Sequence, residues 1–263
     1  MAGLRRVMSQ YPLTSFVVVA YALSWWTVPF ANGAILPYGP FVAAVIVLSV
    51  NRGKAGLSDL FRRMTSWRGG WVWLLIAPGL VILYLMLAFA ANLLLGGTVA
   101  RTPQWSGVGQ SLIGLILLGG MWEEPGWTGF ALPLLQDRNA GRPYGLLKAT
   151  LTMGVIRAGW HLPLLVSGAI PWFDVVFLSM AVQLLIAWLH NRTGGSVLLP
   201  MLFHLTSNFV GGAIMMSVFS GSDRDRYYLL FIAFALLLGI VLNLPRRWSM
   251  GRRDTETPLQ ARV

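Results

Sequence analysis

Residues 71–95 read WVWLLIAPGLVILYLMLAFAANLLL, a run without one charged side chain. About 20 consecutive apolar residues, wound as a helix, cross the hydrocarbon core of a bilayer. This run is long enough, and it predicts a membrane-spanning helix. The rest of the chain has the same character. Of 263 residues, 56% are hydrophobic and 11% are charged, where a soluble domain carries about 25% charged residues. Mean hydropathy is +0.65. Composition therefore points to an integral membrane protein.

Working outward, apolar runs fall at 12–30, 36–50, 71–95, 109–135, 145–166, 173–190, 197–219 and 227–244. The expected fold is all-α, a polytopic transmembrane helical bundle of about eight spans. The second run is short and reads as tilted or partly re-entrant. The fourth contains Pro125 and Pro133 and is expected to kink or to leave the bilayer early. Three segments follow: N-terminal helices with a basic loop over 1–108, a core over 109–212, and a last helix with a basic tail over 213–263.

The chain holds 20 Lys and Arg against 9 Asp and Glu, a net charge of +11. With a cytoplasmic N-terminus, 16 of the basic residues fall in cytoplasmic segments and 3 in outer loops, leaving Arg157 within a span. Such an asymmetry is the positive-inside pattern. It predicts a multi-pass protein of the cell membrane with both termini in the cytoplasm. It also accounts for the excess charge without a nucleic-acid partner. Arg5 and Arg6 before the first run imitate a signal peptide, but the run exceeds a typical apolar core and carries Trp25 and Trp26, so an uncleaved helix is expected. Within 51–70, Leu57, Leu60 and Phe61 form an apolar stripe among basic residues, as in a short interfacial helix. Residues 250–263 read as a polar, disordered tail. The absence of cysteine excludes disulfides, a thiol nucleophile and Cys-bound metal.

An ionisable side chain deep in a bilayer costs roughly 2.5–3.5 kcal/mol on insertion scales, so it tends to be paired or functional. Within the runs these groups are Glu123, Glu124, Arg157, His161 and His204, with His190 at a run's end. Adjacent helical residues point about 100° apart. Glu123 and Glu124 therefore share a depth but cannot share a role: one can face a water or ion while the other holds a neighbouring side chain. Arg157 and His161 are i and i+4, as are His204 and Asn208, so each pair shares a helical face. The bland alternative is an interhelical polar clamp. Two His and two Glu on three runs are also what carboxylate-assisted or metal-assisted hydrolysis needs. His190 and the turn at 191–196 read as structure, with Gly194 and Gly195 suiting a helix stop and Ser196 an N-cap.

The stretch Glu123-Glu124-Pro125-Gly126-Trp127-Thr128-Gly129-Phe130 resembles the first motif, Glu-Glu-x-x-x-Arg, of the CPBP intramembrane proteases, the CAAX-protease and bacteriocin-processing (Abi) family. Trp160-His161-Leu162-Pro163 resembles the second motif, Phe-x-x-x-His, and His204 to Asn208 the third, His-x-x-x-Asn. The resemblance covers residues 111–212. Two positions depart from it. Thr128 stands where the family has Arg, and Arg157 stands where it has Phe. Arg157 is expected to replace the missing cation from a neighbouring helix.

The resemblance implies hydrolysis of a peptide bond in a membrane-bound peptide or protein, with the lipid bilayer as the other partner. Carried over, Glu123 activates water, Glu124 is a partner acid orienting water or His161, and His204 and Asn208 stabilise the oxyanion or complete the water site. The family is named for metalloproteases, so a divalent metal ion such as zinc is the implied cofactor, with His161, His204 and Glu123 as its ligands. Two other readings stay open. One is a proton-coupled transporter using the same buried groups; the other is an inactive scaffold or immunity protein, favoured by Thr128.

Overall fold

The computed structural model describes residues 2–67, 70–101 and 107–244. The polar tail expected at 250–263 lies outside the described residues, which are helical with no strand among them. In chain order the α-helices are α1 (Ala2–Gln10), α2 (Pro12–Trp25), α3 (Gly39–Asn51), α4 (Gly53–Thr65), α5 (Val72–Leu94), α6 (Val108–Leu118) and the single turn α7 (Glu124–Gly126). They continue as α8 (Leu132–Arg138), α9 (Gly145–Trp160), α10 (Leu162–Val166), α11 (Ser179–Arg192), α12 (Leu198–Thr206) and α13 (Gly221–Asn243). A 3₁₀ turn at Gly120–Glu123 and π-helical turns at Trp127–Ala131 and Ser207–Ile214 interrupt the α geometry.

Four helical stretches have the length and composition to cross a membrane: Val72–Leu94, Asp174–Arg192, Leu198–Ser217 and Gly221–Asn243. The pair Gly3–Gln10 and Pro12–Trp25, bent by 109°, makes a fifth if it is one span. Helix α3 is apolar but shorter. The remaining two expected runs are divided, for reasons written in their sequences. Gly119 adopts an extended conformation and ends α6. Pro125 and Pro133 then stand in the first turns of α7 and α8, where their missing N–H groups cost least. In the fifth run, α9 stops at Trp160 and Pro163 opens α10. The short helix expected within 51–70 is α4. Its Asp59 accepts from Arg62 at 2.5 Å and Arg63 at 2.9 Å. Burial pushes the Asp59 carboxyl up, but the two guanidiniums outweigh it and hold it below the usual range.

Two apolar cores organise the chain. One joins Val81, Tyr84 and Leu85 of α5 to Leu185 and Leu189 of α11, Phe203 of α12 and Phe231 of α13. The other joins Phe16 of α2 and Ala44 and Val47 of α3 to Trp127, Leu132, and Met153 and Trp160 of α9. Its aromatic centre packs edge to face, Phe16 on Trp127 at 5.3 Å and Trp127 on Trp160 at 6.0 Å, a geometry that adds to area burial. Between α5 and α13, Arg226 donates to Asn92 at 2.7 Å and to Asp223 at 2.9 Å, and Asp223 also accepts from the Thr98 N–H at 2.9 Å.

Gly126 lets α7 lie directly on α3, because a Cβ there would overlap the Pro40 carbonyl group. Backbone cannot rotate away as a flexible side chain can. Gly126→Ala is therefore expected to destabilise the fold by about 1–3 kcal/mol, as overpacking does. The check is a lowered apparent melting temperature of the detergent-solubilised protein.

Candidate active site

The broken run after α6 is where the site is built. Gly119 leaves the helix, the 3₁₀ turn Gly120–Glu123 tightens the chain, and Glu124 starts α7. Glu123 and Glu124 diverge, as their adjacency requires. Both carboxylates are buried.

Glu124 is 0% exposed and accepts three hydrogen bonds. Its Oε1 receives the Arg157 guanidinium at 2.5 Å and His204 Nδ1 at 2.7 Å, and its Oε2 receives the Thr128 hydroxyl at 2.5 Å. Arg157, 2% exposed, brings the compensating charge from α9. The cation beside this carboxylate thus comes from a neighbouring helix, and the Thr128 hydroxyl joins it there. A buried carboxylate is tolerable only when paired and hydrogen-bonded in this way.

The same clamp fixes His204. A carboxylate only accepts, so the ring donates from Nδ1, and in its neutral form Nε2 is the acceptor. A methyl group built on Gly120 would lie 2.5 Å from His204 Nε2, 2.8 Å from Glu123 Oε1 and 2.9 Å from Asn208 Nδ2. Three groups from two separated parts of the chain therefore converge on one point, which only glycine leaves open. Glu123 Oε2 is buried without a hydrogen-bond partner. Gly120 was missed in the sequence reading. Its signal was the Gly119-Gly120 pair directly before the two acids, hidden in an apolar run.

His161 is placed differently from the expectation. The acid Glu124 orients His204, not His161. The His161 ring folds back on its own helix end, its Nδ1 2.9 Å from the Arg157 carbonyl oxygen, with Trp160 edge-on at 5.0 Å. The reason is local: His161 caps α9 four residues after Arg157, within reach of that carbonyl. His204 Nε2 and Asn208 Nδ2 lie together beside Gly120, on one face as their spacing predicts.

Among the described residues, no three His, Cys, Asp or Glu side chains are grouped to hold a metal ion. The donors that meet at Gly120 are His204 Nε2 and Glu123 Oε1. A catalytic zinc site has three protein ligands, so the ligand set His161, His204 and Glu123 is not assembled here.

Comparison with known proteins agrees with the motifs. Residues 105–210 match the family model described as type II CAAX prenyl endopeptidase Rce1-like. Over those residues the chain is similar to the CAAX-protease family. CAAX prenyl protease 2 of Methanococcus maripaludis is 24% identical over 190 residues, covering 64% of this chain and 67% of the relative. The matched stretch contains the CAAX-protease motifs and every group placed around Gly120. With this relationship and several apolar helices long enough to cross a bilayer, the chain is a multi-pass membrane protein.

Arg157→Met is expected to leave the Glu124 charge buried without its counter-ion. Breaking a buried pair in this way costs about 3–5 kcal/mol. The check is thermal unfolding of the purified protein, with Arg157→Lys recovering part of the loss because it restores the charge without the planar fork.

Proposed function

We propose that this chain is an intramembrane endopeptidase acting on a membrane-associated or lipidated peptide. The observation that carries this reading is the meeting of Glu123 Oε1, His204 Nε2 and Asn208 Nδ2 at Gly120. Glu123 Oε1 and neutral His204 Nε2 are both acceptors, so together they can accept hydrogen bonds from the two O–H groups of one water and orient its lone pairs. Asn208 Nδ2 is a donor. It can stabilise the oxyanion that develops when that water attacks a peptide carbonyl. Glu123 takes the proton as the C–O bond forms, and returns it to the leaving amine as the C–N bond breaks. Glu124 and Arg157 stay out of the proton transfers and hold His204 in its tautomer. No step in this sequence requires more than the groups named.

The name of that relative, CAAX prenyl protease 2, favours a prenylated segment as substrate. The charge asymmetry of the chain favours a cell-membrane protein with both termini in the cytoplasm. The scaffold reading loses its main support, because Arg157 stands at the carboxylate that Thr128 alone would leave without a cation.

The test is peptide profiling of membranes carrying wild type or Glu123→Gln, together with a synthetic farnesylated tail peptide. A product formed by wild type and reduced about 10²–10⁴-fold in the variant, the range of general-base catalysis, is expected. Identical profiles with both proteins folded and present at equal levels would sink the proposal in favour of a non-catalytic role.

A further inference from the structure

The π-helical turn behind Glu124 is tied to a helix outside the motifs. Pro133 has no N–H, so the Gly129 carbonyl lacks the donor that an α-helix would supply four residues on. Arg63 of α4 fills that place, its Nη2 donating to the Gly129 oxygen at 2.8 Å. The Arg63 carbonyl in turn accepts from the Val197 N–H at 2.9 Å, and the Ser66 carbonyl from the Ser196 hydroxyl at 2.7 Å. Residue 197 immediately precedes α12, which carries His204. At Gly129, a Cβ would lie 2.6 Å from Leu60 and 3.2 Å from Val197. One face of α4 therefore touches both separated parts of the chain that build the site.

The other face is exposed and mixed in character. Lys54, Phe61 and Arg62 of α4 lie there. Helix α1, which exposes Leu4, Arg5, Arg6 and Val7, joins the same end of the molecule. Its Ser9 hydroxyl donates to Asn51 at 2.9 Å, and Asn51 donates to the Met8 carbonyl at 3.1 Å. Asn51 ends α3, and α4 begins two residues later. Exposed cations interleaved with exposed apolar side chains, on helices too short to span alone, suit the headgroup zone of an anionic leaflet. The positive-inside pattern explains the sign of these charges. It does not explain why the helix bearing them is bonded to the site.

We propose that α1 and α4 dock on anionic phospholipid headgroups, and that this docking sets the position of the Trp127–Ala131 turn through Arg63. The docking and its transmission do not rest on the function proposed above. The full-length protein in nanodiscs of phosphatidylcholine, with or without phosphatidylglycerol, is followed by hydrogen exchange. Phosphatidylglycerol is expected to slow exchange several-fold at both 53–65 and 127–131. Replacing Arg5, Arg6, Lys54 and Arg62 with Gln is expected to abolish both effects and leave exchange in phosphatidylcholine unchanged. Arg63→Lys is expected to keep the effect at 53–65 and lose it at 127–131. Equal exchange in the two lipids would overturn the docking, as would the same slowing by inorganic phosphate in phosphatidylcholine discs. Slowing confined to 53–65 in wild type would overturn the transmission. None of these readouts depends on proteolysis, so each stands whether or not a cleavage product is found.

Discussion

A carboxylate with no access to water must find its whole hydrogen-bonding environment inside the protein, and Glu124 does. Its three partners come from three places: Thr128 one turn along its own segment, Arg157 on α9, and His204 on α12. Helix α9 belongs to the core around Trp127 and Trp160, and α12 to the core around Tyr84 and Phe203. The clamp is therefore also a joint between the two cores. Moving either core relative to the other stretches a bond to a buried charge, a stiffer penalty than losing a few apolar contacts.

This joint explains why the backbone around it is irregular. A straight helix through 109–135 would carry Glu123 and Glu124 past the site at one fixed pitch. The 3₁₀ turn before them and the π-helical turn after them alter the rotation per residue on either side. Such turns leave backbone groups without their usual partners. The Gly129 carbonyl is one, and Arg63 satisfies it. Tight packing offsets the irregularity, with Trp127 fully buried between Phe16 and Trp160. The distorted segment is thus held from two sides, by aromatic packing and by a guanidinium from α4.

Much of this was legible from side-chain chemistry. Buried acids, histidines and Asn208 stood out because an apolar run makes each of them expensive, and spacing alone put His204 and Asn208 on one face. The divergence of Glu123 from Glu124 followed from helical geometry. What spacing could not give was pairing between helices. The resemblance gave Glu124 water or His161 to orient, and nothing in the spacing pointed to His204 instead. Once α9 stops at Trp160, the His161 Nδ1 lies against the Arg157 carbonyl. The breaks in the fourth run were half visible. Pro125 and Pro133 announced a disturbance, but Gly119 and Gly120 passed as ordinary apolar sequence. Gly120 matters for what it lacks, a Cβ, and an absence becomes informative only when its neighbours are known.

Arg157 and Thr128 show that the Glu124 charge is balanced from outside its own helical segment. An arginine at 128 would reach Glu124 along the same helical segment, at i+4 spacing. From 157 it reaches the same carboxylate from another helix. The two arrangements can satisfy the charge equally, but they constrain different things. The local one fixes a side chain on its own helix. The one found here binds α9 to α7 and makes the distance between them part of the electrostatics. Glu124 accepts His204 and Arg157 on one oxygen and the Thr128 hydroxyl on the other. Position 157 can carry the charge because His161, one turn on, needs only the backbone carbonyl of that residue, and any side chain there supplies it.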